Sequence, residues 1–131
     1  MKKIGVLNQE LSSIIASMGH MDTLVIADAG LPIPAETRRI DLALSEGIPA
    51  FADAVRAVLS ELQVESAVVA DEMLKVSPET FDDLKVMLGD IPIETVEHAE
   101  LKVRTPSAKA VVRTGEFTPY ANVILVAGVV F

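Results

Sequence analysis

The sequence predicts an α/β fold: a three-layer α/β/α sandwich around a largely parallel, Rossmann-like sheet, in a single domain. Two observations support this fold class. Short apolar runs rich in β-branched residues alternate along the chain with helical patterns that carry capping residues. The 131 residues contain no internal repeat, low-complexity tract or linker, and this length suits one domain.

The N-terminal half is predicted to run helix, strand, strand, helix, strand. Asn8 is typical of a helix N-cap, and Gly19 is expected to end that helix, which leaves His20 on a loop. Pro49 is expected to open the second helix. The predicted strands are Thr23–Ala27, Arg39–Leu44 and Ser66–Ala70, and the second helix presents Phe51, Val55, Val58, Leu59 and Leu62 on one face.

The C-terminal half continues the alternation. Ser77 followed by Pro78 predicts an N-cap and a proline at the first helical position, and Gly89 predicts the helix end. The remaining predicted elements are strands at Ile91–Val96, Ala110–Arg113 and Asn122–Val130, a short helix at His98–Val103 and a loop at Thr114–Tyr120. Ligands of such sheets bind beyond the carboxyl ends of the strands, which favours Asp28 and Thr114 as site positions.

Charge and composition exclude several classes of partner. The chain has 11 Lys and Arg against 19 Asp and Glu, a formal net charge of −8. Nucleic acids and anionic membrane surfaces both require a basic face, so neither is expected as a partner. There is no cysteine, and the two histidines lack the close ligand spacing of a metal site, so no metal is expected. The N-terminus lacks a long apolar segment, and we expect a cytoplasmic protein.

The chain is unusually apolar for its size. Half of its residues are hydrophobic and its mean hydropathy is +0.43. The longest apolar run, Val123 to Phe131, is far short of the ~20 residues of a spanning helix. This surplus predicts burial between copies of the chain, although a rich α/β core is the simpler alternative.

Few side chains in this sequence can carry acid–base chemistry. The only imidazoles are His20 and His98, and the only phenol is Tyr120. A lone histidine on a loop is more often a solvated side chain than a catalyst. Asp28, at a strand end, is either a turn former or a site residue. Tyr120 and Asn122 have alternate spacing, so in an extended chain they would project together and could hydrogen-bond sugar hydroxyls.

Four stretches of the chain resemble one family, that of the ribose pyranases and fucose mutarotases, and the resemblance runs over the whole length. Within these stretches, Gly30-Leu31 and Phe117-Thr118-Pro119 are similar to the ribose branch. The four stretches are Met18-Gly19-His20, Asp28-Ala29-Gly30-Leu31-Pro32, Gly47-Ile48-Pro49-Ala50-Phe51 and the ten residues Arg113-Thr114-Gly115-Glu116-Phe117-Thr118-Pro119-Tyr120-Ala121-Asn122.

The resemblance implies an activity and a set of site residues. The activity is interconversion of the pyranose and furanose forms of a free monosaccharide, here D-ribose, without a cofactor. His20 would be the general acid or base, and Asp28, His98, Tyr120 and Asn122 would bind the sugar. A large ring-like homo-oligomer, usually a decamer, with sites near subunit contacts is also implied. A histidine whose pKa lies near neutrality suits this proton transfer.

Two alternatives stay open at this point. A mutarotase for a 6-deoxy sugar such as L-fucose would differ only in the shape of its pocket. A non-catalytic sugar-binding accessory of an uptake system would use His20 as a ligand only.

Overall fold

The computed structural model describes the whole chain, from Met1 to Phe131. Helices and strands alternate as predicted, with one additional short helix, α3. The elements in chain order are α1 (Gln9–Ser17), β1 (Thr23–Ala27), β2 (Arg39–Asp41), α2 (Phe51–Leu59), β3 (Val64–Ala70), α3 (Asp71–Val76), α4 (Pro78–Leu88), β4 (Ile93–Val96), α5 (His98–Arg104), a 3₁₀ turn (Thr105–Ser107), β5 (Ala110–Arg113) and β6 (Val123–Ala127).

The strands form one six-stranded sheet in the order β2-β5-β1-β6-β3-β4. All strands except β6 run in the same direction, and β6 is antiparallel to both of its neighbours, β1 and β3. The cause is the short connection between β5 and β6. A parallel return needs a crossover of a dozen or more residues, usually with a helix, and residues 114–122 contain none.

Helices cover both faces of the sheet, which confirms the three-layer sandwich. On one face, α1, α2 and α4 pack against the strands in a cluster of 24 buried residues. On the other face, Leu101 of α5 and Leu31 cover a smaller cluster of 9 residues. Alternate residues of β1 enter the two clusters, Leu24 and Ile26 on the first face and Val25 and Ala27 on the second.

Several predicted helix ends need correction. Asn8 caps α1 as expected, since its Oδ1 accepts the Leu11 N–H at 2.9 Å. The helix ends at Ser17, however, and the left-handed backbone that follows belongs to Met21 (φ 69°) and not to Gly19. Helix α2 begins at Phe51 instead of Pro49. Gly89 ends α4 with φ 58°, as predicted.

Strand ends also differ from the prediction, for local reasons. Strand β2 stops at Asp41, because the Asp41 carboxylate accepts the Ala43 N–H and turns the chain. Strand β6 covers only Val123–Ala127, although the Gly128 N–H still bonds to Gln63 O just before β3 begins. Strand β4 starts at Ile93, two residues later than expected. No helix in the structure is both long enough and apolar enough to cross a bilayer.

Candidate active site

The candidate site is a cavity of about 590 Å³ at the carboxyl ends of the parallel strands. Asp28 follows β1, Arg113 ends β5, and His98 begins α5 just after β4. Because β5 and β6 lie on either side of β1, the loop of residues 114–122 crosses over the carboxyl end of β1. The loop thereby brings Glu116 and Tyr120 beside Asp28, at the carboxyl end of the strands, where the sequence predicted a ligand site.

Asp28 is held in place by Asn122, which is fully buried. The Asn122 Oδ1 accepts the Asp28 backbone N–H, and its Nδ2 donates to Asp28 Oδ2, both at 2.9 Å. The other carboxylate oxygen, Oδ1, accepts the Gly30 N–H at 2.9 Å, so Asp28 is both a turn former and a cavity residue. The carboxylate therefore has a fixed orientation, with one oxygen bonded to Gly30 and the other to Asn122.

Tyr120 does not have the extended backbone that the alternate-spacing argument assumed. Its φ is 62°, and the Asn122 N–H closes a tight turn on Tyr120 O at 2.8 Å. The expectation that Tyr120 and Asn122 project together into the site was therefore wrong. The Tyr120 side chain lines the cavity, whereas Asn122 lies beneath it and bonds to Asp28.

His98 lines the cavity with its ring edge-on to Tyr120. The ring centroids are 5.0 Å apart and the planes meet at 82°, a favourable T-shaped contact. The His98 backbone N–H, at the start of α5, donates to Glu72 Oε2 at 2.9 Å, which fixes the end of the helix. The ring Nδ1 is buried and has no hydrogen-bond partner.

The loop between β5 and β6 is anchored at its first two residues. The buried Thr114 hydroxyl donates to Ala27 O at 2.7 Å, at the last residue of β1. Gly115 packs against the chain just before α2, where a Cβ would lie 2.3 Å from Ser45 O and 2.5 Å from Ile48 O. Only glycine fits this approach, so the loop leaves β5 along one path.

Ser77 anchors the far end of the same loop. Its hydroxyl donates to Pro119 O at 2.7 Å, next to Tyr120. Ser77 is the N-cap residue of α4 and Pro78 its first residue, as predicted, but the Ser77 side chain makes no capping bond. A serine before a proline is a common cap, and only the fold shows that this hydroxyl serves a loop 42 residues away.

Two charged residues of the cavity were missed by the sequence argument, which named the stretch but not their part in it. Glu116 accepts hydrogen bonds from Phe51 and Thr118, and Arg113 pairs with Asp41 and donates to Ala29 O. The partners Phe51, Asp41 and Ala29 are 65 to 84 residues distant, so no local spacing could reveal them. The structure contains no group of three potential metal ligands.

His20 does not lie at this cavity. Its turn lies at the opposite end of the sheet, where the Met21 N–H bonds to Ala127 O at the last residue of β6. Asn122, just before the first residue of β6, bonds to Asp28. At ~3.3 Å per residue, this strand separates the His20 turn from Asp28 by roughly 16 Å.

The surroundings of His20 are open. Its Nε2 lies 2.9 Å from Glu65 Oε2, and the imidazole side chain is 53% exposed. Because an ionised carboxylate only accepts hydrogen bonds, this contact requires a proton on Nε2. The next residue, Met21, is an apolar side chain that is 61% exposed, and the chain end at Phe131, four residues after β6, is fully exposed.

The fold and the site together indicate a protein that binds a small polar ligand. A polar loop crosses the end of a mixed sheet, and an aspartate, a histidine and a tyrosine surround an open cavity. Comparison with known families identifies the family. The model of the RbsD / FucU transport protein family matches residues 1–130, and the chain belongs to this family.

Individual relatives are similar over the whole chain. The D-ribose pyranases of Coprothermobacter proteolyticus and Geobacillus thermodenitrificans are 59% and 53% identical, over 100% of this chain and 100% and 99% of theirs. The structure of Bacillus subtilis RbsD complexed with D-ribose is 48% identical, with a TM-score of 0.97 and full coverage of both chains. The fucose mutarotase of Streptococcus pneumoniae, in complex with L-fucose, shares the fold at 23% identity, with a TM-score of 0.78 over 95% of each chain.

Proposed function

We propose that this chain is a D-ribose pyranase, an isomerase that interconverts the pyranose and furanose forms of free D-ribose. The observation that carries the proposal is the cavity formed by Asp28, His98 and Tyr120, in a chain 53% to 59% identical to D-ribose pyranases over its full length. Carboxylate, imidazole and phenol groups are good hydrogen-bond partners for sugar hydroxyls. The cavity opens to solvent, which suits a free sugar that enters and leaves.

The reaction is a balanced pair of proton transfers. A base removes the proton of the anomeric hydroxyl while an acid protonates the ring oxygen, so the bond between that oxygen and C1 breaks and an aldehyde forms. Attack on C1 by the hydroxyl of C4 instead of C5 then closes the furanose ring, with the protons moving in reverse. No electrons are transferred, and the proposal includes no cofactor.

In this proposal the proton is transferred by His20, and the His20 that acts at each cavity belongs to a neighbouring copy of the chain. The support is geometric, since the His20 turn and Asp28 are at opposite ends of β6 within one chain. An exposed imidazole beside exposed apolar side chains can dock onto the open cavity of another copy, whose rim carries the 63% exposed Phe117. This contact would cover apolar surface and exclude water from the sugar.

His98 donates a hydrogen bond to the sugar from Nε2. A proton on Nδ1 would be a buried donor without an acceptor, which costs about 1–3 kcal/mol and is rare in proteins. Since Nδ1 is buried within a single chain, no neighbouring copy can supply the acceptor. The neutral ring therefore carries its proton on Nε2. Nitrogen-15 spectra test this directly, because the chain has only two histidines.

Asp28 and Tyr120 bind the sugar directly, and Asn122 contributes through its hold on Asp28. We further propose a homo-oligomer, in the form of a decameric ring, and a cytoplasmic location. The ring is supported by the need for two copies at each site and by the exposed apolar side chains. Light scattering that returns 14.0 kDa at micromolar concentration would contradict the oligomer.

Saturation-transfer NMR on equilibrated free sugar tests the function. We expect the protein to accelerate pyranose–furanose exchange of D-ribose and to leave that of L-fucose near its uncatalysed rate. Acceleration with L-fucose alone would identify a mutarotase for 6-deoxy sugars. Binding of D-ribose without acceleration would identify a non-catalytic sugar-binding accessory, and either result overturns the proposal.

A further inference from the structure

Glu116 occupies a central position that the proposed reaction does not use. Its Oε2 accepts the Phe51 N–H at 3.0 Å, and its Oε1 accepts both the N–H and the hydroxyl of Thr118, at 3.2 and 2.8 Å. Its backbone carbonyl accepts the Ala29 N–H at 2.8 Å, in the turn that follows Asp28. One residue therefore joins the Asp28 turn, the start of α2 and the loop that leads to Tyr120.

The start of α2 explains why a carboxylate is needed there. The N-cap residue, Ala50, makes no side-chain capping bond, so the N–H groups of the first turn need another partner. Glu116 supplies it from a distant part of the chain, and the positive end of the helix favours its negative charge. The carboxylate is thus fixed by a rigid element of the scaffold and can in turn fix Thr118.

Ionisation of Glu116 fits this arrangement. Partial burial acts to raise the pKa of Glu116, but the hydrogen bonds from Phe51 and Thr118 outweigh it and hold the pKa below its ordinary value. All three side-chain contacts come from N–H or O–H donors, which an ionised carboxylate accepts without rearrangement.

We propose that Glu116 is a positioning residue for sugar binding: its carboxylate locks the loop between Thr118 and Tyr120 onto α2 and so fixes the Tyr120 side chain in the cavity. Glu116 does not transfer a proton in this account, because its side-chain oxygens are engaged by the protein. The inference rests on the proposed function, since sugar binding is what the loop is positioned for.

Glu116→Gln is the primary test. The substitution keeps the size but replaces one acceptor oxygen with an NH₂ donor, so either the Phe51 or the Thr118 contact is lost. We expect the KM for D-ribose to rise about tenfold, the worth of one hydrogen bond to a charged group, with a much smaller change in kcat. A purely structural role would lower the amount of folded protein and leave the KM unchanged.

Tyr120 provides a readout that does not depend on activity. It is the only tyrosine and the chain has no tryptophan, so the tyrosine band in near-UV circular dichroism reports on Tyr120 alone. We expect Glu116→Gln to weaken this band while the far-UV spectrum stays that of the native protein. Glu36→Gln, an exposed glutamate with no side-chain hydrogen bond, is the matched control and should change neither band nor KM.

A second pair of variants tests the other partner of the same contact. Thr118→Val removes the hydroxyl that bonds to Glu116, and Thr118→Ser keeps it. We expect Val to raise the KM severalfold and Ser to restore it to near the original value. A native KM and a native tyrosine band in both Glu116→Gln and Thr118→Val would overturn the inference. Absence of ribose exchange in the unmodified protein would instead overturn the proposed function, so the two failures are distinguishable.

Discussion

The two ends of the sheet are built differently. At the carboxyl end of β1, Asp28, Asn122 and Tyr120 are joined through buried groups and short hydrogen bonds to neighbouring elements. At the other end, His20 is half exposed and has a single side-chain partner, Glu65. The side chains of the first end are therefore fixed by contacts within one chain. Of the two imidazoles of the chain, one lines the cavity at the first end, and the other, that of His20, lies at the second end, away from that cavity.

The proposed function assigns sugar binding to the first end and proton transfer to the second. Binding groups must be fixed before the sugar arrives, and the buried network around Asp28 fixes them. A proton-transfer group at the opposite end of the same chain can act only on a sugar held by another copy. Independent measurements of exchange and of ribose binding distinguish the contributions of the two ends.

The largest effect is expected from His20→Ala. Removal of one acid–base residue should lower pyranose–furanose exchange about 10²–10⁴-fold. Because the cavity is intact, the affinity for D-ribose, measured by calorimetry, should change much less. Glu65→Gln, which removes only the partner of His20, is the control and should retain more activity. Near-normal exchange in His20→Ala together with lost exchange in His98→Ala would reverse the two assignments.

Asn122→Ala should produce the next largest effect, a loss of both stability and affinity for D-ribose at the cavity. The substitution leaves the Asp28 N–H without its acceptor and frees one carboxylate oxygen, which should cost about 1–3 kcal/mol of unfolding free energy. Affinity for D-ribose should fall with it, because Asp28 loses its orientation. Asn8→Ala removes a helix cap and costs about 1 kcal/mol, so it matches the loss of stability. Equal affinity losses in the two variants would show that Asn122 acts only through stability.

Ser77→Ala should lower the affinity for D-ribose by less than Asn122→Ala does. It removes the hydrogen bond to Pro119 O, worth about 0.5–1.5 kcal/mol, from a residue that is already largely buried. Ribose affinity should fall by a few-fold and the tyrosine band of Tyr120 should change. An unaltered band, measured at a temperature where the variant is fully folded, would show that the loop holds its shape without Ser77.

Glu61, near the His20 end, should give the smallest effect, and only on stability. The hydrogen bond from the Val6 N–H, with help from Lys2, lowers the pKa of Glu61 below its ordinary value. The folded state therefore gains stability from Glu61 above its unfolded pKa and loses that gain as the pH falls through the lower folded pKa. Urea titrations should show Glu61→Gln less stable at pH 7, with the difference vanishing once the pH falls below the lowered folded-state pKa of Glu61. A difference that persists in acid would contradict an electrostatic origin.

Local patterns in the sequence were sufficient for the approximate positions of the strands and for the end of the sheet that carries the cavity. Asp28 was singled out because it follows an apolar strand, whereas His98 was named as one of only two imidazoles and through the family resemblance. The hydrogen-bond partners of the Ser77, Asn122 and Glu116 side chains were not predictable, since each side chain bonds to a residue 42 to 94 positions away. All three bonds involve the loop that joins β5 to the antiparallel strand β6.

Mixing two inactive variants tests the central claim most directly. One parent carries His20→Ala and keeps its cavity, and the other carries Asp28→Ala with His98→Ala and keeps His20. If each site combines a cavity with the His20 of another copy, random 1:1 assembly should restore about a quarter of the unmodified exchange rate, because half of the cavities and half of the histidines are intact. Exchange no higher than the sum of the two parents, in assemblies shown to contain both chains, would contradict a site shared between copies.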